Sequence, residues 1–166
     1  MMSKRATTNL VALFACLFCT AALAQHFHKQ LSRAEREHIL DGPFTVVPTT
    51  EAMPSKVKQA FAEITAEHSF ALANPGQKYQ VTDVVSEPGL PFRRLLFAGV
   101  KDDEWFIHYE RGGRGHGYSV IVFKVDAQQR LQFLWGGVGF RGAKNLDELR
   151  KMVAAGQFSD DVASAW

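Results

Sequence analysis

The chain has very little cysteine, no long apolar run beyond its first residues and no large excess of one charge. Its two cysteines, Cys16 and Cys19, lie in the first 24 residues, so the remainder holds no disulfide and no thiol nucleophile. No later apolar stretch approaches the roughly 18 residues of a membrane-spanning helix. Among 166 residues 19 are basic and 17 acidic, and the signs balance once Lys4 and Arg5 are removed. This balance argues against a general binder of nucleic acid or anionic membranes.

The first 24 residues have the three parts of a secretory signal peptide. A basic start precedes an apolar run from Asn9 to Ala22, which is too short to cross a hydrocarbon core that needs roughly 20 residues. Ala22-Leu23-Ala24 then puts small residues at the two positions that signal peptidase reads. We predict cleavage before Gln25 and a periplasmic or secreted protein with no stable membrane insertion after processing. A retained anchor and lipidation at Cys16 are the weaker alternatives.

Removing residues 1–24 leaves 142 residues (166 less 24), enough for one domain that buries roughly two-thirds of its unfolded surface. We divide them into a polar lead-in with a short helix over 25–43 and a single α+β domain over 44–166. Ser32 and Glu35 have the spacing of a capping box, which predicts the start of the short helix.

Two further helices are predicted from their ends and their apolar spacing. The main helix starts near Pro54, which suits a first helical turn, and runs to the break at 74–76. His68 falls on its apolar side and is interpreted as a core histidine. The last helix follows Asn145, a good N-cap, and stops at Gly156.

Between these helices the apolar period changes to two, which is typical of strands. Strands are predicted at about 79–86, 93–100, 104–111, 117–126 and 130–136. Their short connections predict an antiparallel meander. The expected fold is therefore α+β: an amphipathic helix packed on a curved four- to five-stranded antiparallel sheet, with short helices at both ends. In outline this layout resembles the cystatin-like, NTF2-like and PepSY-like arrangements, and a likeness of layout carries no function.

Alternation assigns the two faces of the predicted sheet, if both later hairpins keep simple registers. The face under the main helix carries Trp105, Ile107, Tyr109, Ile121, Phe123, Val125, Leu131, Phe133 and Trp135. The opposite face carries Phe106, His108, Glu110, Tyr118, Val120, Val122, Lys124, Arg130, Gln132 and Leu134. The second set mixes polar and apolar residues, which predicts partial cover, a groove or a partner on that face.

The segment from Arg111 to Gly117 is the most unusual in the chain, with four glycines, two arginines and His116 in seven residues. Exposed backbone N–H groups and forked arginine donors are suited to a carboxylate or phosphate. The simpler interpretation is a hairpin loop whose glycines supply positive φ. We predict a ligand- or partner-binding site here, formed by Phe106, Arg111, Arg114, His116 and Tyr118. The expected partner is an envelope or secreted protein or a small anionic ligand, with no nucleic acid.

An enzymatic alternative uses the same region. His108, Glu110, Arg114 and His116 can form an acid–base set with an anion clamp, as small hydrolases use on antiparallel sheets. The two histidines and Glu110 can also be arranged as metal ligands, although a cross-strand polar cluster is the simpler interpretation. No G-x-S-x-G elbow or P-loop is present.

The leading hypothesis is an exported, non-enzymatic binding module of the cell envelope, of the inhibitor, immunity or ligand-binding kind, without metal or cofactor. The alternative is a small secreted hydrolase that uses the His/Glu/Arg cluster on the open sheet face.

Overall fold

A computed structural model describes residues 27–85, 87–113 and 115–161 and shows an antiparallel sheet with helices on both faces. The elements are α1 (Arg33–His38), β1 (Thr45–Val47), α2 (Ser55–Ile64), β2 (Arg93–Lys101), β3 (Glu104–Arg111), β4 (Gly117–Val125), β5 (Leu131–Gly139) and α3 (Leu146–Ala154). This confirms the α+β class with an antiparallel sheet. The predicted signal peptide and Arg114 lie outside the described residues.

The sheet has five strands in the order β1-β2-β3-β4-β5, and every neighbouring pair is antiparallel. The strand predicted at 79–86 is wrong, because residues 79–85 form bends and a loop. Both halves of the β2 edge are already occupied. Residues Thr45–Val47 pair with one half, and Ala73 makes two backbone hydrogen bonds of 2.9 Å to the other. No part of that edge is left for another strand, and β1 takes the fifth place.

Helix α2 is shorter than the sequence predicts. Ala66 adopts a left-handed φ of 55°, and the next amide donates back to Ala62 O at 2.9 Å, as in a Schellman motif. The Thr65 hydroxyl also donates to Phe61 O at 2.9 Å. His68 therefore lies beyond the helix and is exposed, so its prediction as a core histidine is wrong.

The face under α2 is a core of apolar and aromatic side chains, as predicted. It joins Val57, Phe61 and Ile64 of the helix to residues of three strands: Leu95, Ala98, Trp105, Ile107, Tyr109, Ile121, Phe123 and Val125. The face predicted for Trp135 is wrong, because β5 contains an extra residue, Leu134, between the pairs Val122–Trp135 and Phe123–Phe133. This β-bulge turns Trp135 to the opposite face.

The opposite face is a second core and not an open surface. Phe106, Val120, Val122 and Trp135 are fully buried there beneath Leu149, Met152 and Val153 of α3. Leu31 and Leu40, which flank α1, pack into the same cluster. The mixed composition of this face therefore reflects a covered sheet. Phe106, a residue of the predicted binding site, is buried and offers no surface to a ligand or partner.

Local capping signals place the two short helices as predicted. Ser32 and Glu35 make both hydrogen bonds of the capping box of α1. Asn145 caps α3 by accepting from the Glu148 amide at 2.9 Å. None of the helices in the described part of the chain combines the length and apolar character that crossing a membrane requires.

Candidate functional site

A cleft of about 430 Å³ opens at one end of the sheet, on the face covered by α3. It is lined by Leu96, Phe97, Glu110, Tyr118, Gly142, Ala143 and Lys144. The walls are therefore the end of the β2–β3–β4 unit and the segment that leads into α3. This volume falls within the range of about 300 to 1,000 Å³ that small-molecule sites occupy.

Glu110 is the buried charge of this cleft. Its side chain is only 6% exposed, and it forms an ion pair with Arg94, its direct neighbour across the β2–β3 ladder. The Oε1 atom lies against the guanidinium but accepts no aligned hydrogen bond among the described residues. A buried carboxylate is stable only with a partner, so Arg94 compensates Glu110 within the fold.

His116 and Tyr79 stand beside this ion pair. The His116 side chain is 44% exposed, and its Nε2 lies 4.0 Å from Glu110 Oε2 and 3.4 Å from Tyr79 Oη. The Arg94 guanidinium stacks over the Tyr79 ring at 4.6 Å. Burial, and then the neighbouring Glu110, raise the pKa of Tyr79 to about 12, so this phenol keeps its proton. The four side chains form a polar cluster that combines a carboxylate, a guanidinium, an imidazole and a phenol.

His108 is separated from this cluster by its role in the core. The amide of Ala143 donates to its Nε2 at 2.9 Å, so that nitrogen carries no proton. Its Nδ1 therefore donates to Ser119 O at 2.8 Å. Burial lowers the pKa of His108 to about 4, which keeps the ring neutral. The Nδ1 bond lies within the sheet and the Nε2 bond holds the segment before α3 to it, so neither nitrogen is available for a substrate or metal while these bonds are made.

The other predicted site residues are divided between the two faces. His116 and Tyr118 lie together, with their rings edge-on at 5.2 Å, and Tyr118 lines the cleft. Phe106 is fully buried against Phe44 and Phe97. Arg111 pairs with Arg93 and belongs to the α2 face of the sheet. The structure thus unites Glu110, His116 and Tyr118, and places Phe106, His108 and Arg111 elsewhere.

Three residues of the cleft and of the polar cluster beside it are missing from the sequence-based prediction: Tyr79, Arg94 and Lys144. Tyr79 belongs to the segment wrongly predicted as a strand. Arg94 is opposite Glu110 only because Leu96 is an extra residue in β2. Lys144 precedes the helix cap Asn145, a position whose local pattern indicates a helix start and no site. No short motif joins these three residues.

Fold and cleft together define a small α+β unit whose sheet is covered on both faces and borders a polar cleft at one end. Comparison of the chain with protein families, with curated proteins and with solved structures gave no match. Within residues 27–85, 87–113 and 115–161, no three His, Cys, Asp or Glu side chains are grouped to hold a metal ion.

Proposed function

We propose that the chain is a small exported binding module whose cleft takes a small anionic ligand bearing a carboxylate or phosphate group. The observation that carries this proposal is the charge of the cleft. Glu110 is already compensated by Arg94. Lys144 lies exposed on the lining, and its ammonium makes no ion pair among the described residues. The cleft therefore presents uncompensated positive charge, which attracts an anion.

The remaining lining fits a ligand with a small apolar body. Leu96 and Phe97 form an apolar wall, while Tyr118 and the half-exposed His116 offer polar atoms beside it. A few convergent polar groups on an apolar lining are the usual composition of a small-molecule site. In this arrangement Lys144 contacts the anionic group and the walls hold the carbon skeleton.

Titration calorimetry with a panel of small carboxylates and phosphate monoesters tests the proposal. We expect Lys144→Ala to weaken binding about fivefold or more, the effect of losing a contact of ~1 kcal/mol. Lys151→Ala is the matched control, because Lys151 is exposed on α3 and does not line the cleft. Equal affinity in wild type and Lys144→Ala, or no binding by any member of the panel, contradicts the proposal.

A second candidate function is hydrolysis, and the geometry of His116 favours it. A carboxylate near one ring nitrogen of a half-exposed imidazole can orient it as a general base. Glu110 Oε2 lies 4.0 Å from His116 Nε2, an electrostatic contact longer than a hydrogen bond, and Tyr79 Oη lies 3.4 Å from the same nitrogen. Turnover of chromogenic esters or phosphodiesters that His116→Ala abolishes and the exposed control His68→Ala retains would support it. Absence of turnover by the wild type would contradict the hydrolase hypothesis.

Export rests on the amino-terminal segment. The exported protein is expected to have the intact mass of residues 25–166, and a mass that retains Cys16 with acyl chains would contradict this processing. An envelope or secreted protein as partner stays a prediction. The likeness of layout to cystatin-like, NTF2-like and PepSY-like arrangements also stays a prediction.

A further inference from the structure

The large apolar side chains that the fold leaves exposed are concentrated at the end of the sheet where the cleft opens. Two loops leave the sheet at this end, the β2 entry loop (77–92) and the β5 exit loop (140–144), because β2 starts and β5 ends there. Within the described residues, five of the six exposed large apolar side chains lie in these loops: Val81, Val84, Val85, Phe92 and Phe140. Single exposed apolar residues are common, but a group of them in one place indicates a binding surface.

The β2 entry loop is held to the end of the sheet by backbone hydrogen bonds. Val81 O accepts from the Gly113 amide at 3.1 Å, and Phe92 O accepts from the Gly112 amide at 2.9 Å. Tyr79, two residues before Val81, belongs to the polar cluster beside the cleft. The backbone therefore places exposed apolar residues next to that cluster.

The β5 exit loop joins a fully exposed aromatic ring to the wall of the cleft. Its residue Gly142 packs closely on the lining, since a Cβ there would lie 2.7 Å from side-chain atoms of both Leu96 and Tyr118. Phe140 precedes this contact by two residues, and Lys144 follows it by two. Four residues span at most about 14 Å, so the exposed ring and the cation of the lining belong to one small region.

We propose that the ligand of the cleft is a single-chain anionic amphiphile, such as a medium-chain carboxylate or an alkyl phosphate. This inference rests on the function proposed above, in which Lys144 contacts the anionic group. The wall of Leu96 and Phe97 takes the first carbons of the chain, and the exposed apolar residues of the two loops take the remainder. A small hydrophilic anion would leave this apolar surface in water, and a cationic amphiphile would be repelled by Lys144.

Titration calorimetry with a series of carboxylates from butanoate to decanoate, each below its micelle concentration, tests this inference. Each methylene removed from water should tighten binding by about two- to fourfold, so decanoate should bind at least about thirtyfold more tightly than butanoate. Lys144→Ala should weaken every member of the series by about the same factor. Decyltrimethylammonium, which has a chain of the same length and the opposite charge, should not bind.

Phe140→Ala separates the chain from the anionic group. It should leave the affinity for butanoate unchanged and weaken decanoate about fivefold or more, the effect of losing one apolar contact of an interface. Phe140 is fully exposed, so this change reports binding and not folding. Val46→Ala is the matched control, because Val46 is an exposed apolar residue of β1 whose partner, Gly99, lies toward the opposite end of β2. It should bind decanoate as the wild type does.

Binding of butanoate that depends on Lys144, with no gain along the series, overturns the amphiphile and leaves the anion site of the cleft in place. Equal binding of decanoate and decyltrimethylammonium is adsorption to apolar surface and also overturns it. No binding by any member contradicts the anion site as well. Co-sedimentation with vesicles of phosphatidylglycerol and phosphatidylcholine then identifies the source. Sedimentation that Lys144→Ala abolishes indicates a membrane lipid, and its absence indicates a free amphiphile.

Discussion

The two faces of the sheet are both buried, but they are built in different ways. The α2 face is closed by apolar contacts along most of its length, centred on Phe61, Tyr109 and Phe123. The α3 face contains His108, which uses one ring nitrogen for the sheet and the other for the segment before α3. The comparison shows that polar residues on a sheet face do not by themselves indicate an open surface. A polar side chain fits a core when each of its polar atoms has a partner.

The largest expected effect tests whether both faces are cores. Phe123→Ala on the α2 face and Trp135→Ala on the α3 face should each reduce the free energy of unfolding by ~3–5 kcal/mol, as large-to-small core changes do. Trp135→Ala also removes the hydrogen bond from the indole nitrogen to Asp160 at 2.7 Å. Denaturant unfolding of the purified variants measures both losses.

Phe140→Ala is the control for this pair, because Phe140 is fully exposed. It should change the free energy of unfolding by no more than ~0.5 kcal/mol. A loss below ~1 kcal/mol for Trp135→Ala, with the full loss for Phe123→Ala, would show that the α3 face is not a core.

The features that the sequence predicts correctly have local causes. The capping residues Ser32 and Asn145 mark helix starts within one turn. Alternating apolar residues identify strands β2 to β5 and most of the α2 face. Such signals depend on neighbours in the chain, and they hold wherever packing does not override them.

Some features that the sequence does not predict depend on the register of strand pairing. Both bulge residues lie inside short apolar runs: Leu96 within Leu95–Ala98, and Leu134 within Phe133–Trp135. In such a run every residue suits either face, so alternation does not show where the extra residue enters. A simple register from the turn at 102–103 would pair Arg94 with Arg111. The bulge at Leu96 shifts that pairing by one residue, so Arg94 lies opposite Glu110 and forms an ion pair with it.

The end of α2 is missed for a different reason. A Schellman motif usually has glycine in the left-handed position, and here that residue is Ala66. The apolar spacing continues past it, so the sequence predicts a longer helix and assigns His68 to its buried side. The observed backbone conformation is one that alanine rarely adopts, and it is held by two backbone hydrogen bonds and by the Thr65 hydroxyl.

The second prediction concerns the polar core residue of the α3 face. The pKa of His108 is lowered from 6.5 to about 4, mainly by burial. Between these values the unfolded chain binds a proton and the folded chain does not, so stability is complete above pH 6.5 and falls as the pH decreases toward 4. The loss from this group should be about 3 kcal/mol over that interval.

Unfolding curves at several pH values measure this loss, and imidazole resonances assign it. The His108 ring signals should stay at their neutral positions down to about pH 5 in the folded protein. Titration of His108 near its ordinary pKa would contradict the burial and the two hydrogen bonds described above. The α2 face has no buried histidine among the described residues and should make no comparable contribution.

The smallest expected effect concerns the loop that borders the cleft. The Gly112 amide donates to Phe92 O at 2.9 Å. A Cβ added to Gly112 would lie 1.9 Å from the backbone oxygen of Gln80, in the segment that packs against the loop. Gly112→Ala must therefore displace that segment, at a cost of ~1–3 kcal/mol, as overpacking does. A Cβ on Gly115, in the same loop, would meet nothing within 4 Å, so Gly115→Ala should cost no more than ~0.5 kcal/mol.

Because Tyr79 belongs to the displaced segment and contacts His116, Gly112→Ala should also weaken ligand binding in the cleft, while Gly115→Ala should not. Equal melting temperatures for the two variants would show that the segment around Gln80 does not rest on this loop, and the loop would then not hold Tyr79 beside His116.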